Sequence, residues 1–267
     1  MKVFKFGGAS LKNAGAIQNM ASIVKAYAGS PLLVVVSAMG KTTNALESIL
    51  NSYTKEGDYH AEIEVLKNYH FSICDNLFTD ADPIKKKIGS ILEELTENLH
   101  TPGEYDQVYD QVISLGEVLS SVIVSAYLVE QGLPCQWLDA RKHIITDTAF
   151  REGKVDWKKT EEHIQHLKTD LQNHIILTQG FIGSNELGFT TTLGREGSDY
   201  TAAIFASCLQ AESVTIWKDV PGVMSADPKR LPDAIVFEEL PYTEAAEMTY
   251  YGASVIHPKT IKPLALK

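Results

Sequence analysis

Cysteine is nearly absent from this chain. Cys74, Cys135 and Cys208 are odd in number, far apart and in no CxxC arrangement, which excludes a disulfide framework or a zinc knuckle and suits a reducing compartment. Long apolar runs are missing as well. The longest, residues 31–37, is too short to span a bilayer, and Met1-Lys2 leads straight into a strand-like VFKF with no apolar leader. A cytoplasmic protein with no membrane partner is therefore expected. Positive charge is scarce, with 24 Lys and Arg against 34 Asp and Glu, a net charge of −10. That balance argues against nucleic acid as a partner and makes any lysine or arginine set among glycines informative. His163 and His166 lie in the polar segment WKKTEEHIQHLKTDLQ, where a solvated helix face is the better reading than a metal site.

What is present is an alternation of short β-branched runs with helical stretches, the mark of an α/β fold with a largely parallel sheet. Strands are expected at 3–6, 32–37, 135–138, 175–179 and 214–217. The runs LLVVV and IILT are continuous rather than alternating, as in strands covered on both faces. A long helical region should fill about 42–131, with Val112, Leu115, Leu119, Val122, Ala126 and Val129 on its core face and Gly132 and Pro134 ending it. The tract FIGSNELGFTTTLGREGSD reads as a hairpin or loop between an amino-terminal and a carboxy-terminal lobe.

Several polar segments can carry chemistry. In Lys5-Phe6-Gly7-Gly8-Ala9-Ser10 a strand ends in two glycines, so backbone N–H groups can approach a phosphate and Lys5 can stand beside them; a plain turn with a surface lysine is the competing reading. VVVSAMGKTTN resembles a P-loop only superficially, because Val35 stands where GxxxxGK[ST] requires its first glycine. Its Ser37, Thr42, Thr43 and Asn44 then suit a helix cap. Glu117 in SLGEVLSS sits among apolar neighbours and needs a partner, either a structural cation or an incoming ammonium. Arg195 lies between Gly194 and Gly197, a planar fork suited to a carboxylate. Ser198 reads structurally as a helix N-cap with Asp199 in the first turn.

Taken in order, these segments resemble the aspartate kinases of the amino acid kinase superfamily over residues 2 to about 260. KFGGAS is similar to that family's KFGGTS, SLGEVLSS to SxGExxSS, and TTLGREGSDYTAA to TTLGRGGSDYTAA. WKDVPGVMSADPK is similar to WTDVPG…DPR, and EAAEMTYYGASVIHP to EAxEMxxxGAKVLHP. The resemblance implies a carbamate kinase-like αβα sandwich with a mainly parallel sheet, an aspartate-binding lobe at 1–190 and a nucleotide-binding lobe at 191–267. It implies ATP-dependent phosphorylation of the L-aspartate β-carboxylate, the first step toward lysine, threonine and methionine, with ATP and Mg²⁺ as cofactors. By motif position Arg195 would grip the α-carboxylate and Glu117 the α-ammonium, with Ser37, Thr43 and Ser198 lining the aspartate site. Lys5, Gly7, Gly8 and Ser10 would hold the phosphates, Lys5 and Asp199 would be catalytic, and Lys218, Asp219, Met224, Lys229 and Ser254 would hold the rest of the nucleotide.

The departures from that pattern cluster on the nucleotide side. Glu196 replaces a glycine, and is expected to face solvent or a lysine. Lys218 stands where threonine is usual, Met224 where tyrosine is common, Lys229 where arginine is usual, and Ser254 where lysine is usual, so Lys218 is expected to make up in part for the lost cation. Family members continue with a further sheet strand and two ACT domains. On that comparison the chain is expected to lack feedback inhibition, and any homodimer to be weakened. A sibling kinase acting on glutamate, acetylglutamate or UMP, and a folded but weakly active nucleotide-binding fragment, stay open as alternatives.

Overall fold

A computed structural model describes residues 1–227, 230–250 and 256–265, the Tyr250 side chain aside. The chain opens with β1 (Lys2–Phe6), a 3-10 turn (Gly8–Leu11), α1 (Ala14–Ala26) and β2 (Leu32–Val36). Five helices follow, α2 (Thr42–Thr54), α3 (Tyr59–Leu77), α4 (Asp82–His100), α5 (Tyr105–Ile113) and α6 (Leu115–Glu130), before β3 (Cys135–Leu138). Next come β4 (Ile145–Thr146), α7 (Trp157–Gln165), α8 (Leu167–Asp170) and β5 (Ile175–Gln179), then the hairpin of β6 (Ile182–Asn185) and β7 (Thr190–Thr192). The last described elements are α9 (Gly197–Leu209), β8 (Ser213–Trp217), α10 (Tyr242–Tyr250) and α11 (Pro258–Ala265).

The five expected strands form one sheet in the order β3-β5-β2-β1-β8, parallel throughout. Every side chain of the central β2 is buried, and alternation divides them cleanly. Leu32, Val34 and Val36 enter a core with α1, α2 and α6, whereas Leu33 and Val35 enter a second core with α7 and α9. Each such aliphatic residue contributes about 1.5–3 kcal/mol by burial, so β2 joins the two layers. The sheet draws strands from both sides of residue 190, since β8 pairs with β1 along its whole length.

Three expectations need correction. Ser37 lies just past β2, its N–H donating to the Phe6 carbonyl at 3.1 Å. The helical region 42–131 is present as five helices, but its stripe drifts: Val129 is 54 % exposed, while Ile123, Val124 and Leu128 take the core positions. A spacing of 3.6 residues per turn rotates a fixed stripe off the core face over four turns. Finally, the stretch Tyr105–Glu130 is long and apolar enough to cross a bilayer by length and composition, but 83 % of its apolar window is buried inside the protein. Its scattered Ser, Gly and Glu concealed that stretch from a search for unbroken apolar runs.

Candidate active site

The two-residue period of β1 aims Lys5. Phe4 and Phe6 point into the α1 core, so Val3 and Lys5 face the layer covered by α9. All thirteen residues of α9 are buried, and its first turn carries Asp199. The Lys5 ammonium lies 2.7 Å from Asp199 Oδ1, and Lys218, immediately after β8, lies 2.8 Å from Oδ2. Both separations are those of charge-assisted pairs. Burial alone would raise the Asp199 carboxyl; the charges of Lys5 and Lys218 reverse that and hold it below the ordinary carboxylate range. Lys218 also reaches Glu196 Oε2 at 3.2 Å. Burial would lower the Lys218 ammonium, and Asp199 with Glu196 raises it instead.

Glu196 is the residue before α9 and sits at φ +54, a left-handed conformation that glycine adopts at no steric cost. The helix starts at Gly197, so Ser198 is inside the first turn and does not cap it. The expected capping role of Ser198 is therefore not observed. Nor do the hydroxyls at 42 and 43 cap α2. Thr42 Oγ1 instead lies 3.3 Å from the buried His70 Nε2, and burial pushes the His70 ring down to about 4, leaving it neutral at pH 7.

Close backbone approach at the end of β1 depends on Gly8. A Cβ there would lie 2.6 Å from the Ala38 carbonyl oxygen, inside contact distance. The same neighbour, Ala38, donates its N–H to Glu117 Oε1 at 3.3 Å. Glu117 is only 4 % exposed. Its Oε2 has no hydrogen-bond partner among the described residues, and no described cation pairs with the carboxylate at ion-pair distance. The structural ion pair considered from sequence is therefore not present there. Burial pushes the Glu117 carboxyl up to about 8.

A cleft of about 700 Å³ gathers these groups: Lys5, Gly8, Ser37, Thr43, Glu117, Arg195, Ser198 and Asp199 all line it. Arg195 is exposed at its edge. Gly7 adjoins the cleft, a Cβ there lying 3.5 Å from Lys5 Nζ, and the Ser10 N–H donates to the Gly7 carbonyl in the 3-10 turn. A second, apolar cavity of about 600 Å³ opens along β8, lined by Ile216, Trp217, Lys218, Pro221, Tyr242 and Ile261 among others. Asp219 is exposed and Met224 bridges to Val236; neither lines the two cavities. Lys229 and Ser254 lie outside the described residues. Tyr109, Arg151, Glu152, Phe181 and Thr192 also line the cleft. Arg151 and Glu152 arrive on a loop with no motif to announce them, whereas Thr192 was already inside a singled-out segment.

Comparison with known proteins bears on the family and the fold. The amino acid kinase family profile matches residues 1–267. Lysine-sensitive aspartokinase 3 of Escherichia coli (strain K12) is 36 % identical over 98 % of this chain and 58 % of its own length. A bifunctional aspartokinase/homoserine dehydrogenase 1 of Zea mays, a chloroplastic protein, is 32 % identical over 98 % of this chain and 29 % of its own. The crystal structure of E. coli aspartokinase III in complex with aspartate and ADP superposes with a TM-score of 0.91 at 34 % identity, covering the whole chain and 60 % of that structure. The chain thus spans well under two thirds of these relatives. A UMP kinase of Ureaplasma parvum shares the fold at 14 % identity and a TM-score of 0.55. On the profile match over its full length, the chain belongs to the amino acid kinase family.

Proposed function

We propose that the cleft transfers the γ-phosphoryl group of ATP to the β-carboxylate of L-aspartate, giving 4-phospho-L-aspartate. The observation that carries this is Glu117 Oε2: a buried carboxylate oxygen in the cleft wall with no hydrogen-bond partner among the described residues. A buried acceptor left so costs about 1–3 kcal/mol, a cost that an arriving α-ammonium removes. Arg195, across the same cleft, supplies the fork for the α-carboxylate. An α-amino acid is thereby held by both of its main-chain charges, with its side chain directed toward Lys5. The Escherichia coli neighbour that superposes over the whole chain is a complex with aspartate and ADP, which supports the same assignment.

The chemistry needs little from the protein beyond position and charge. A β-carboxylate with an ordinary pKa near 4 is ionised at neutral pH and already nucleophilic, so no general base is required. Asp199, held anionic between two lysines, aims those ammoniums rather than accepting a proton. One carboxylate oxygen attacks phosphorus, the bond to the β,γ-bridging oxygen breaks, and ADP leaves with the electron pair. Lys5 and Lys218 offset the charge that accumulates as anion meets anion. The apolar cavity beside Lys218 takes the base and ribose. The residues do not build a cage for a resident Mg²⁺: both Asp199 oxygens face ammoniums, and no cluster of three metal-binding side chains occurs among the described residues. Magnesium accordingly belongs to the substrate, MgATP.

One coupled assay of ADP release, with aspartate, glutamate, acetylglutamate and UMP in parallel, tests the reading. Aspartate alone should turn over; preference for another acceptor would replace the substrate, and no turnover with any would leave a nucleotide-binding fold without this activity. The Lys218 role has its own test. Lys218→Thr is expected to raise KM for ATP about tenfold, the value of one charge-assisted contact, and unchanged KM would remove Lys218 from the phosphate site. Adding Glu196→Gly to that variant should change KM for ATP less than the same change in the parent, because the two side chains are partners.

A further inference from the structure

The helix before the Glu117 helix carries a second buried carboxylate. Asp110 is completely buried and pairs with no lysine or arginine at ion-pair distance among the described residues. Three donors surround it. The Thr192 N–H and the Arg151 N–H both donate to Oδ2 at 2.8 Å, and the Thr192 hydroxyl donates to Oδ1 at 2.8 Å. Burial raises the carboxyl, and these hydrogen bonds offset only part of that.

Both donor segments are walls of the cleft. Arg151 and Glu152 line one part of it, and Thr192 leads directly to Gly194 and Arg195. Neighbouring side chains of α5 make the same connection. Gln111 receives the Thr190 N–H at 3.1 Å and donates to the Thr190 carbonyl at 2.8 Å, occupying β7 as a neighbouring strand would. The Arg151 guanidinium stacks 4.1 Å over Tyr109 and lies 3.4 Å from Asp106, so positions 106, 109 and 110 present one helix face to the loop. Arg151 is held at φ +65, a left-handed conformation that a non-glycine residue adopts only at a steric cost. Its N–H contact to Asp110 and its side-chain contacts to Tyr109 and Asp106 all tie it to α5.

Asp110 is also tied to Glu117. Only Ser114 separates α5 from α6, and the seven-residue spacing of the two carboxylates is about two helical turns. One rod therefore carries the ammonium acceptor and, two turns earlier, the fastener of the strand that ends at Arg195. An α-amino acid bears its ammonium and carboxylate on a single carbon, so the span between Glu117 and Arg195 has to be fixed for both to be gripped together.

We propose that Asp110 is a positioning residue for the amino-acid pocket, its buried carboxylate fastening the Arg151–Glu152 loop and the Thr192–Arg195 arm at a set distance from Glu117. This rests on the reading of the cleft as an aspartate site. It touches neither substrate nor the reacting atoms, so its loss weakens capture of the amino acid and spares chemistry once the amino acid is bound. Asparagine can replace it: the amide oxygen takes the two N–H groups, and the amide NH₂ donates to a Thr192 hydroxyl turned to accept.

The test compares the parent with Asp110→Ala and Asp110→Asn in steady-state kinetics. Asp110→Ala should raise KM for aspartate about tenfold or more, with kcat and KM for ATP within about threefold. Asp110→Asn should bring KM for aspartate back to within about threefold of the parent. An unaltered KM for aspartate in Asp110→Ala, or a parallel loss in kcat and in KM for ATP, overturns the proposal, as does a folded Asp110→Asn variant that fails to rescue. A parent that ignores aspartate defeats the reading of the pocket instead. Amide hydrogen exchange then still decides the fastening: exchange at Arg151 and Thr192 should accelerate about tenfold or more in Asp110→Ala, and unchanged protection overturns it.

Discussion

Lys5→Ala is expected to lower kcat by about 10²–10³-fold, the loss seen when one preorganised donor to transition-state charge is removed, while KM for aspartate stays within about threefold. The asymmetry follows from where Lys5 points. The register of β1 sets it against Asp199 on the α9 face, whereas the groups proposed to hold the amino acid, Glu117 and Arg195, come from α6 and from the loop before α9. Removing one partner of a buried ion pair ordinarily destabilises a protein by about 3–5 kcal/mol. Here Lys218 remains on the other Asp199 oxygen, so the thermal stability of the variant should fall by less than that. Steady-state kinetics beside a melting curve separates the two effects. Near-normal turnover in a folded Lys5→Ala protein would remove Lys5 from the chemistry.

Glu117→Gln should do the opposite to the fold. It is expected to raise KM for aspartate about 100-fold, the loss of a buried charge-assisted contact to the ammonium, and to stabilise the protein at neutral pH. The Glu117 carboxyl titrates near 4.5 in an unfolded chain and near about 8 in the folded one. The folded state therefore binds the extra proton, and stability declines as pH rises from about 4.5 through about 8. At pH 7 that decline amounts to about 3 kcal/mol. Glutamine does not titrate and keeps an oxygen for the Ala38 N–H, so its advantage should be near zero below about pH 4 and worth roughly 8 °C in Tm at about pH 8. Binding the ammonium requires the ionised form, so kcat/KM for aspartate in the parent should rise with pH up to about 8, then level. A flat profile, or a Glu117→Gln protein with the parent's KM, would break the link between Glu117 and the ammonium.

The central strands β2 and β5 were legible because burial on both faces forces unbroken apolar runs such as LLVVV, and the edge strands were legible as short β-branched or aromatic runs between helical stretches. Of the smaller sheet, the β6–β7 hairpin lies in the tract whose Gly and Ser suggested a hairpin or loop, whereas β4, two residues long, carries no such run. Lys5, Glu117 and Arg195 were legible as charges in unusual settings, an apolar strand, an apolar helix and a glycine pair. Arg151 was not, since its place depends on a contact to Asp110, 41 residues earlier in the chain. The two substitutions at 196 and 218 could be noticed separately, but that they answer each other is a fact of space. The turn at φ +54 carries Glu196 toward the end of β8, where Lys218 waits.

That pairing also bears on how the protein can vary. With every residue of α9 enclosed, the helix that carries Ser198 and Asp199 offers no tolerant position, and a change anywhere along it is felt as overpacking or a void. Neutral drift and laboratory selection alike are then channelled to the two sites flanking its first turn, 196 and 218, which are partly open to solvent. They should change together, as a charge pair or as an uncharged one, and lineages that keep only half of the exchange should be the rare ones.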